Sequence, residues 1–154
     1  MIFVAKPRVH HPKLPVNEIG LTRRDYEGPV STLCAGCGHG IVLGTLIRSI
    51  HSLEIPKDDV VIVAGIGCSR RLAVYVDFNT VHTTHGRAIP FATGLALSRP
   101  DSKVVVYSGD GDLSAIGGNH LIQRASKGRF GPADFPHQDF PGDAATFIKG
   151  IFRS

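Results

Sequence analysis

The chain has 154 residues, of which 42% are hydrophobic, 19% charged and 7% aromatic, with a formal charge of +4 at pH 7. That composition predicts one soluble folded domain, neither disordered nor fibrous, and no run approaches the ~20 consecutive apolar residues of a membrane span. The positive excess is too small and too scattered for a nucleic-acid surface, where clustered Lys and Arg with interleaved aromatics are expected; it favours small anionic ligands instead.

The N-terminus MIFVAKPRVHHPKLP places Lys6, Pro7 and Arg8 too early for a secretory signal, and three cysteines are an odd, low count for a disulfide framework. Reduced thiols in the cytoplasm are the expectation. Residues 1–32 hold Pro7, Pro12, Pro15 and Pro29, which break any long periodicity, so they read as an extended arm wrapped on something else.

The character changes at the start of the predicted domain, residues 33–128. CAGCGHG runs into IVLGTLIRSI, where Ile41, Leu43, Leu46, Ile47 and Ile50 recur at near-helical spacing, so a glycine-rich loop feeds a helix. VVIVAG follows as a short β-branched run of the kind buried on both faces of a sheet, ending in the loop GIGCSRR. After HTTHGR, the small and apolar residues of AIPFATGLALS predict a helix closed by Arg99 and Pro100. The last unit has a strand at Val104–Tyr107, a loop at Gly109–Asp112 and a helix over Leu113–Lys127 interrupted by Gly117 and Gly118. Strands alternating with helices predict an α/β fold, a parallel sheet with helices on both faces, whose ligand sites lie at the carboxyl ends of the strands.

From Arg129 the pattern fails: three Pro and five of the eight Phe occur with no β-branched run, and residues 129–154 read as an atypical tail. Arg129, Lys149 and Arg153 there balance Asp134, Asp139 and Asp143, so the charge excess lies earlier.

Gly109-Asp110-Gly111-Asp112, between a buried strand and a helix, suits a diphosphate held by backbone N–H groups beside a carboxylate-bound Mg²⁺; the rival reading is a plain turn. No G-K-[ST] occurs, which excludes a Walker P-loop. Gly65-Ile66-Gly67-Cys68 has two glycines of a dinucleotide fingerprint but Arg70 where the third would stand. Cys34, Cys37 and Cys68 all lie in loops that a parallel sheet brings to one end, as three thiolates for a zinc site, with His39 as fourth ligand, or for a four-iron cluster. The alternative is three small buried hydrophobes. His82 and His85 are acid–base candidates or surface residues, and Arg70, Arg71 and Arg87 flank loops facing one cleft, where convergent guanidinium groups would meet a carboxylate or a dianion.

Taken together, CAGCGHG, GIGCSR, HTTHGRAIPFATGLAL and SGDGDLSAIGGNHLI, in this order, resemble the thiamine-diphosphate-binding β subunit of 2-oxoacid:ferredoxin oxidoreductases, the 2-oxoglutarate type most of all. The resemblance covers about Thr32 to Lys127. It implies CoA-dependent oxidative decarboxylation of a 2-oxoacid, with electrons leaving through a 4Fe-4S cluster to ferredoxin, and an α subunit completing the site. Residue by residue it implies that Cys34, Cys37 and Cys68 are three cluster ligands and that Asp110 binds Mg²⁺. By the same resemblance Gly111 and Asp112 lie by the diphosphate, and Ile66, Gly67, Cys68, Ser69, His85, Gly86 and Arg87 line the cofactor. Arg71, or Arg70, is the candidate for the substrate carboxylate, and His85 is the second catalytic candidate.

The family continues into a further strand ending in an Asn pair that completes the Mg²⁺ site; here Pro136, His137 and Gln138 occupy the corresponding stretch, and no fourth Cys is present. The change at about Gly128 therefore reads as a truncated or frameshifted reading frame. Two alternatives follow: a zinc-binding module using Cys34, Cys37, Cys68 and His39, and an inactive, partner-binding fragment.

Overall fold

The computed structural model describes residues 14–127, so the predicted tail at 129–154 and the first thirteen residues of the arm lie outside the described residues. The predicted first helix forms as α1, Gly38–Ser52. Leu43, Leu46, Ile47 and Ile50, spaced i, i+3, i+4, i+7, are all buried, whereas Ile41 is 67% exposed. Ile41 lies two positions before that stripe and so falls outside it, a correction to the predicted core face. α1 ends in a 6→1, 5→2 pair of hydrogen bonds, Ile55 N to Ile50 O at 3.2 Å and Glu54 N to His51 O at 3.2 Å. Glu54 takes the left-handed position, φ 57°, that this motif requires.

Strand β1, Val60–Ala64, is the middle of a three-stranded sheet, with β2, Asn79–His82, on one side and β3, Lys103–Tyr107, on the other. All pairings are parallel; Ile62 is level with Thr80 and Val105, and Ala64 with His82 and Tyr107. Alternation then sorts the side chains. Val60 and Ile62, with Val105 and Tyr107, join Leu43, Leu46, Ile47, Ile50 and Leu72 in the larger core. Val61, Val63, Val104 and Val106 meet Ala88, Ala92 and Leu95 of α2, Ala88–Ser98, on the other face. The small side chains of α2 let it sit close to the sheet, and the predicted α/β arrangement with helices on both faces is what forms.

β2 has no counterpart in the predicted elements. A 3-10 turn, Cys68–Val74, takes the place of a crossover helix between β1 and β2. After β3 the chain enters a π-helical turn, Gly111–Ile116, and then α3, Gly118–Lys127, so the predicted interruption falls at Gly117.

The described part of the N-terminal arm lies against this chain's own core. Thr22 N and Oγ1 donate to Asp25 Oδ2 at 2.7 and 2.8 Å, starting a short 3-10 turn, Arg23–Tyr26. Tyr26 at its end is fully buried. Its ring meets Phe78 and the edge of His51, and its hydroxyl donates to Ile55 O at 3.1 Å. Isolated bridges, Val16 to Thr22 and Glu27 to Val76, complete the attachment.

Candidate functional site

Parallel pairing puts the ends of all three strands at one edge, and the loops leaving them converge on one carboxylate. Asp112, 6% exposed, accepts at Oδ2 from Ile66 N (3.1 Å) and Ser108 Oγ (2.5 Å), and at Oδ1 from Gly86 N (2.8 Å) and His85 Nδ1 (3.0 Å). One side chain thus joins the loops after β1, β2 and β3. Burial alone would raise its pKa, but the hydrogen bonds from Ser108, Gly86, Ile66 and His85 together outweigh it and hold the carboxyl below the ordinary carboxylate range.

Two glycines make this convergence possible. A Cβ on Gly65 would run into Ser108 Oγ and Asp112 Oδ2, and one on Gly86, at φ +68°, would come within 2.8 Å of the Ile116 and Gly117 backbone. Thr83, also buried, donates from Oγ1 to Ala64 O at 3.1 Å and ties the β2 loop to the end of β1.

Beside this hub opens a cleft of about 560 Å³ lined by Ile66, Arg70, His82, Thr83, Thr84, His85 and Phe91. His85 presents a side chain that is 59% exposed while its Nδ1 stays on Asp112. Of the three predicted arginines only Arg70 lines this cleft. Arg71 donates to Thr32 Oγ1 at 2.6 Å, and Arg87 donates to His120 Nε2 at 3.1 Å, joining the start of α2 to α3. Thr32 is also bonded to the Tyr75 hydroxyl at 2.8 Å, and its hydroxyl and backbone N–H, with Arg71, bring the Tyr75 phenol below 10 against a smaller opposing effect of burial.

The other predicted residues sort by exposure. Asp110, Gly111 and Gly67 are exposed and Ile66 is half-buried. Ser69 is fully buried, its Oγ donating to Ile66 O at 3.2 Å to fix the turn. Asp112 faces inward with both oxygens engaged. Cys34 and Cys68 are exposed thiols and Cys37 is half-buried, all free. Among the described residues no three His, Cys, Asp or Glu side chains are close enough together to hold a metal ion. His39 Nδ1 is bonded to the Tyr107 hydroxyl at 2.7 Å, linking the first turn of α1 to the end of β3. Burial first, and then the nearby Cys37 thiolate, push the Tyr107 phenol up to about 12. No local pattern marks Ser108, Tyr107 or Phe91 as site residues, although Ser108 stands directly before GDGD.

The family described as thiamine pyrophosphate enzyme, C-terminal TPP binding domain, matches residues 65–129, the stretch that contains all three loops. The 2-oxoglutarate synthase subunit KorB of Archaeoglobus fulgidus is 57% identical over 89 residues, which are 58% of this chain and 33% of that one. The subunit of the same name in Methanocaldococcus jannaschii is 54% identical over 89 residues, with the same shares of the two chains. The chain is similar to these subunits over that stretch. It spans about a third of their length. The 2-oxoglutarate:ferredoxin oxidoreductase from Magnetococcus marinus, solved with 2-oxoglutarate, coenzyme A and succinyl-CoA bound, superposes with a TM-score of 0.67 at 40% identity. The match covers 75% of this chain and 40% of that one. The α/β arrangement therefore matches part of a solved 2-oxoglutarate:ferredoxin oxidoreductase chain, and the relatives are named as 2-oxoglutarate synthase subunits.

Proposed function

We propose that this chain carries the thiamine-diphosphate-binding part of a 2-oxoacid:ferredoxin oxidoreductase β subunit, acting in the cytoplasm with an α subunit on a 2-oxoacid, 2-oxoglutarate by preference, with coenzyme A and ferredoxin. The observation that carries the reading is the convergence of three strand-end loops on Asp112 beside an open cleft, in the stretch that matches the thiamine pyrophosphate family. When bound, thiamine diphosphate supplies the electron sink for decarboxylation.

The residues present fit the diphosphate and its cation. Asp110 is exposed at the start of the helical turn after β3, and a Cβ on Gly111 would meet nothing within 4 Å. With Asp112 engaged internally, Asp110 is the carboxylate of this loop free to hold Mg²⁺, a hard cation suited to oxygen ligands. Ile66, Gly67, Cys68, Ser69, Gly86 and Arg87 form or hold the wall along the cofactor. Arg70, on the cleft, meets the substrate carboxylate. Arg71, already bonded to Thr32, braces the segment leading to Cys34. Cys34, Cys37 and Cys68 have the right donor atoms for a 4Fe-4S cluster but are not gathered into a ready site. The zinc alternative meets the same obstacle, since Cys34, Cys37, Cys68 and His39 are not gathered into a site either.

Anaerobic purification of the chain, alone and with its genomic neighbour, followed by thiamine diphosphate, iron, sulfide and zinc analysis, tests this reading. Thiamine diphosphate with iron and sulfide in the complex is the expected result. Zinc alone, or neither ligand, would replace the reading with the metal-binding or the partner-binding alternative.

A further inference from the structure

We propose that Asp112 is a positioning residue that acts through His85, fixing the imidazole proton on Nδ1 and leaving Nε2 as a bare acceptor on the wall of the cleft. The argument starts from the four donors. Ile66 N and Gly86 N are backbone N–H groups and can only donate, and each meets a different oxygen, at 3.1 and 2.8 Å. Near neutral pH Asp112 is a carboxylate, which only accepts, so with both oxygens already accepting from the backbone the ring nitrogen 3.0 Å from Oδ1 carries the hydrogen. A neutral imidazole has one N–H, so Nε2 has none.

The other side of the ring is open. Asp112 has a side chain 2% exposed, whereas that of His85 is 59% exposed and lines the cleft with Ile66, Arg70, His82, Thr83, Thr84 and Phe91. A ligand group that meets Nε2 must then be a hydrogen-bond donor or an acid, while Arg70 on the same wall takes the anionic end. This deepens the proposed function by giving His85 a defined role as proton acceptor, and it rests on that reading only for the identity of the ligand. An unpaired histidine side chain can carry its proton on either nitrogen, and a buried carboxylate held by three further donors fixes it on Nδ1. Such an orienting partner is what a base needs in order to face its substrate in one protonation form.

Long-range ¹H–¹⁵N correlation spectra of the full ¹⁵N-labelled chain, at a pH where the ring is neutral and with His85 assigned by its absence in His85→Gln, read the tautomer directly. The wild-type chain is expected to show the Nδ1–H form; the Nε2–H form there would overturn the proposal. Asp112→Ala is expected to lose the Nδ1–H pattern, and a folded Asp112→Ala chain that kept it would also overturn the proposal. Ser108→Ala removes a donor from Oδ2 and leaves the Oδ1 pair, so the tautomer must not change; a change would assign the effect to general loosening and sink the idea. If Asp112→Ala does not fold, the wild-type and Ser108→Ala spectra decide. None of these spectra needs cofactor, so failure of thiamine diphosphate binding, measured separately by calorimetry, is distinguishable from failure of this inference.

Discussion

Gly65 and Asp112 stand closer than any side chain between them would allow: a Cβ on Gly65 would collide with Asp112 Oδ2 as well as with Ser108. The end of the central strand and the loop after β3 therefore meet through bare backbone, and the carboxylate reaches Ile66 N only because residue 65 has no side chain.

Gly65→Ala is expected to destabilise the chain by about 1–3 kcal/mol, the range for overpacking a close-fitted site. Gly94→Ala is the control. Its Cβ would meet nothing within 4 Å in the middle of α2, so the helix gains about 0.5–1 kcal/mol. Urea unfolding curves should shift in opposite directions for the two variants; a shared direction would mean that the approach at Gly65 is not tight.

Asp112→Asn keeps the shape of the side chain but not its chemistry. Whichever way the amide is turned, its NH₂ faces either Ile66 N–H or Gly86 N–H, leaving a backbone donor unpaired at a cost of about 1–3 kcal/mol. The pH dependence carries a sign as well. The folded carboxyl lies below the ordinary range, so its stabilisation is present above about pH 4, the unfolded value, and is lost as the pH falls through the folded one. Acid titration of stability should therefore be steeper below pH 4 in the wild-type chain than in Asp112→Asn; equal slopes would show that this carboxyl is not depressed.

The tyrosines should ionise in order. Tyr75, beside Thr32 and Arg71, comes below 10, and Tyr107, buried and near Cys37, comes at about 12. A phenol raised in the fold favours folding below the unfolded value near 10, and that contribution disappears as the pH climbs through about 12. Rapid pH-jump absorbance at the phenolate band, with Tyr75→Phe and Tyr107→Phe as assignments, checks both. Removal of the early phase by Tyr107→Phe would contradict the assignment.

On α1, Leu46→Ala is expected to cost about 2–5 kcal/mol, as for any large-to-small change in a closed core, and Ile41→Ala within about 0.5 kcal/mol, since Leu46 is 3% exposed and Ile41 67%. Denaturation midpoints of the two variants would have to be close for the helix face described above to be misplaced.

Much of this was legible because burial on both faces leaves a plain mark in sequence: VVIVA and the Val run before Tyr107 are apolar at every position, and α2 is small where it meets them. β2 left no such mark. Asn79–His82 is a short edge strand with mostly exposed residues, and its identity as a strand comes from pairing with β1, which no local pattern announces. Ile41 misled because apolar type records hydrophobicity and not which side of the helix faces inward. The site divided in the same way. The glycine loops fell where expected, at the strand ends, but the direction of a carboxylate is a tertiary fact: Asp110 and Asp112 are two residues apart in one motif, one exposed and one buried under four donors. Arg70 and Arg71 are adjacent in sequence, yet the first lines the cleft and the second holds Thr32.

The central claim is that the loop after β3 holds a diphosphate through Mg²⁺ on Asp110. Calorimetric titration of thiamine diphosphate in Mg²⁺ into the chain copurified with the proposed α subunit, wild-type against Asp110→Ala, tests it most directly. The account predicts saturable wild-type binding and at least a tenfold weaker affinity, about 1.4 kcal/mol, in Asp110→Ala with an unchanged unfolding midpoint, because Asp110 is exposed. Equal binding by the two proteins, or none by the wild-type complex, would contradict it.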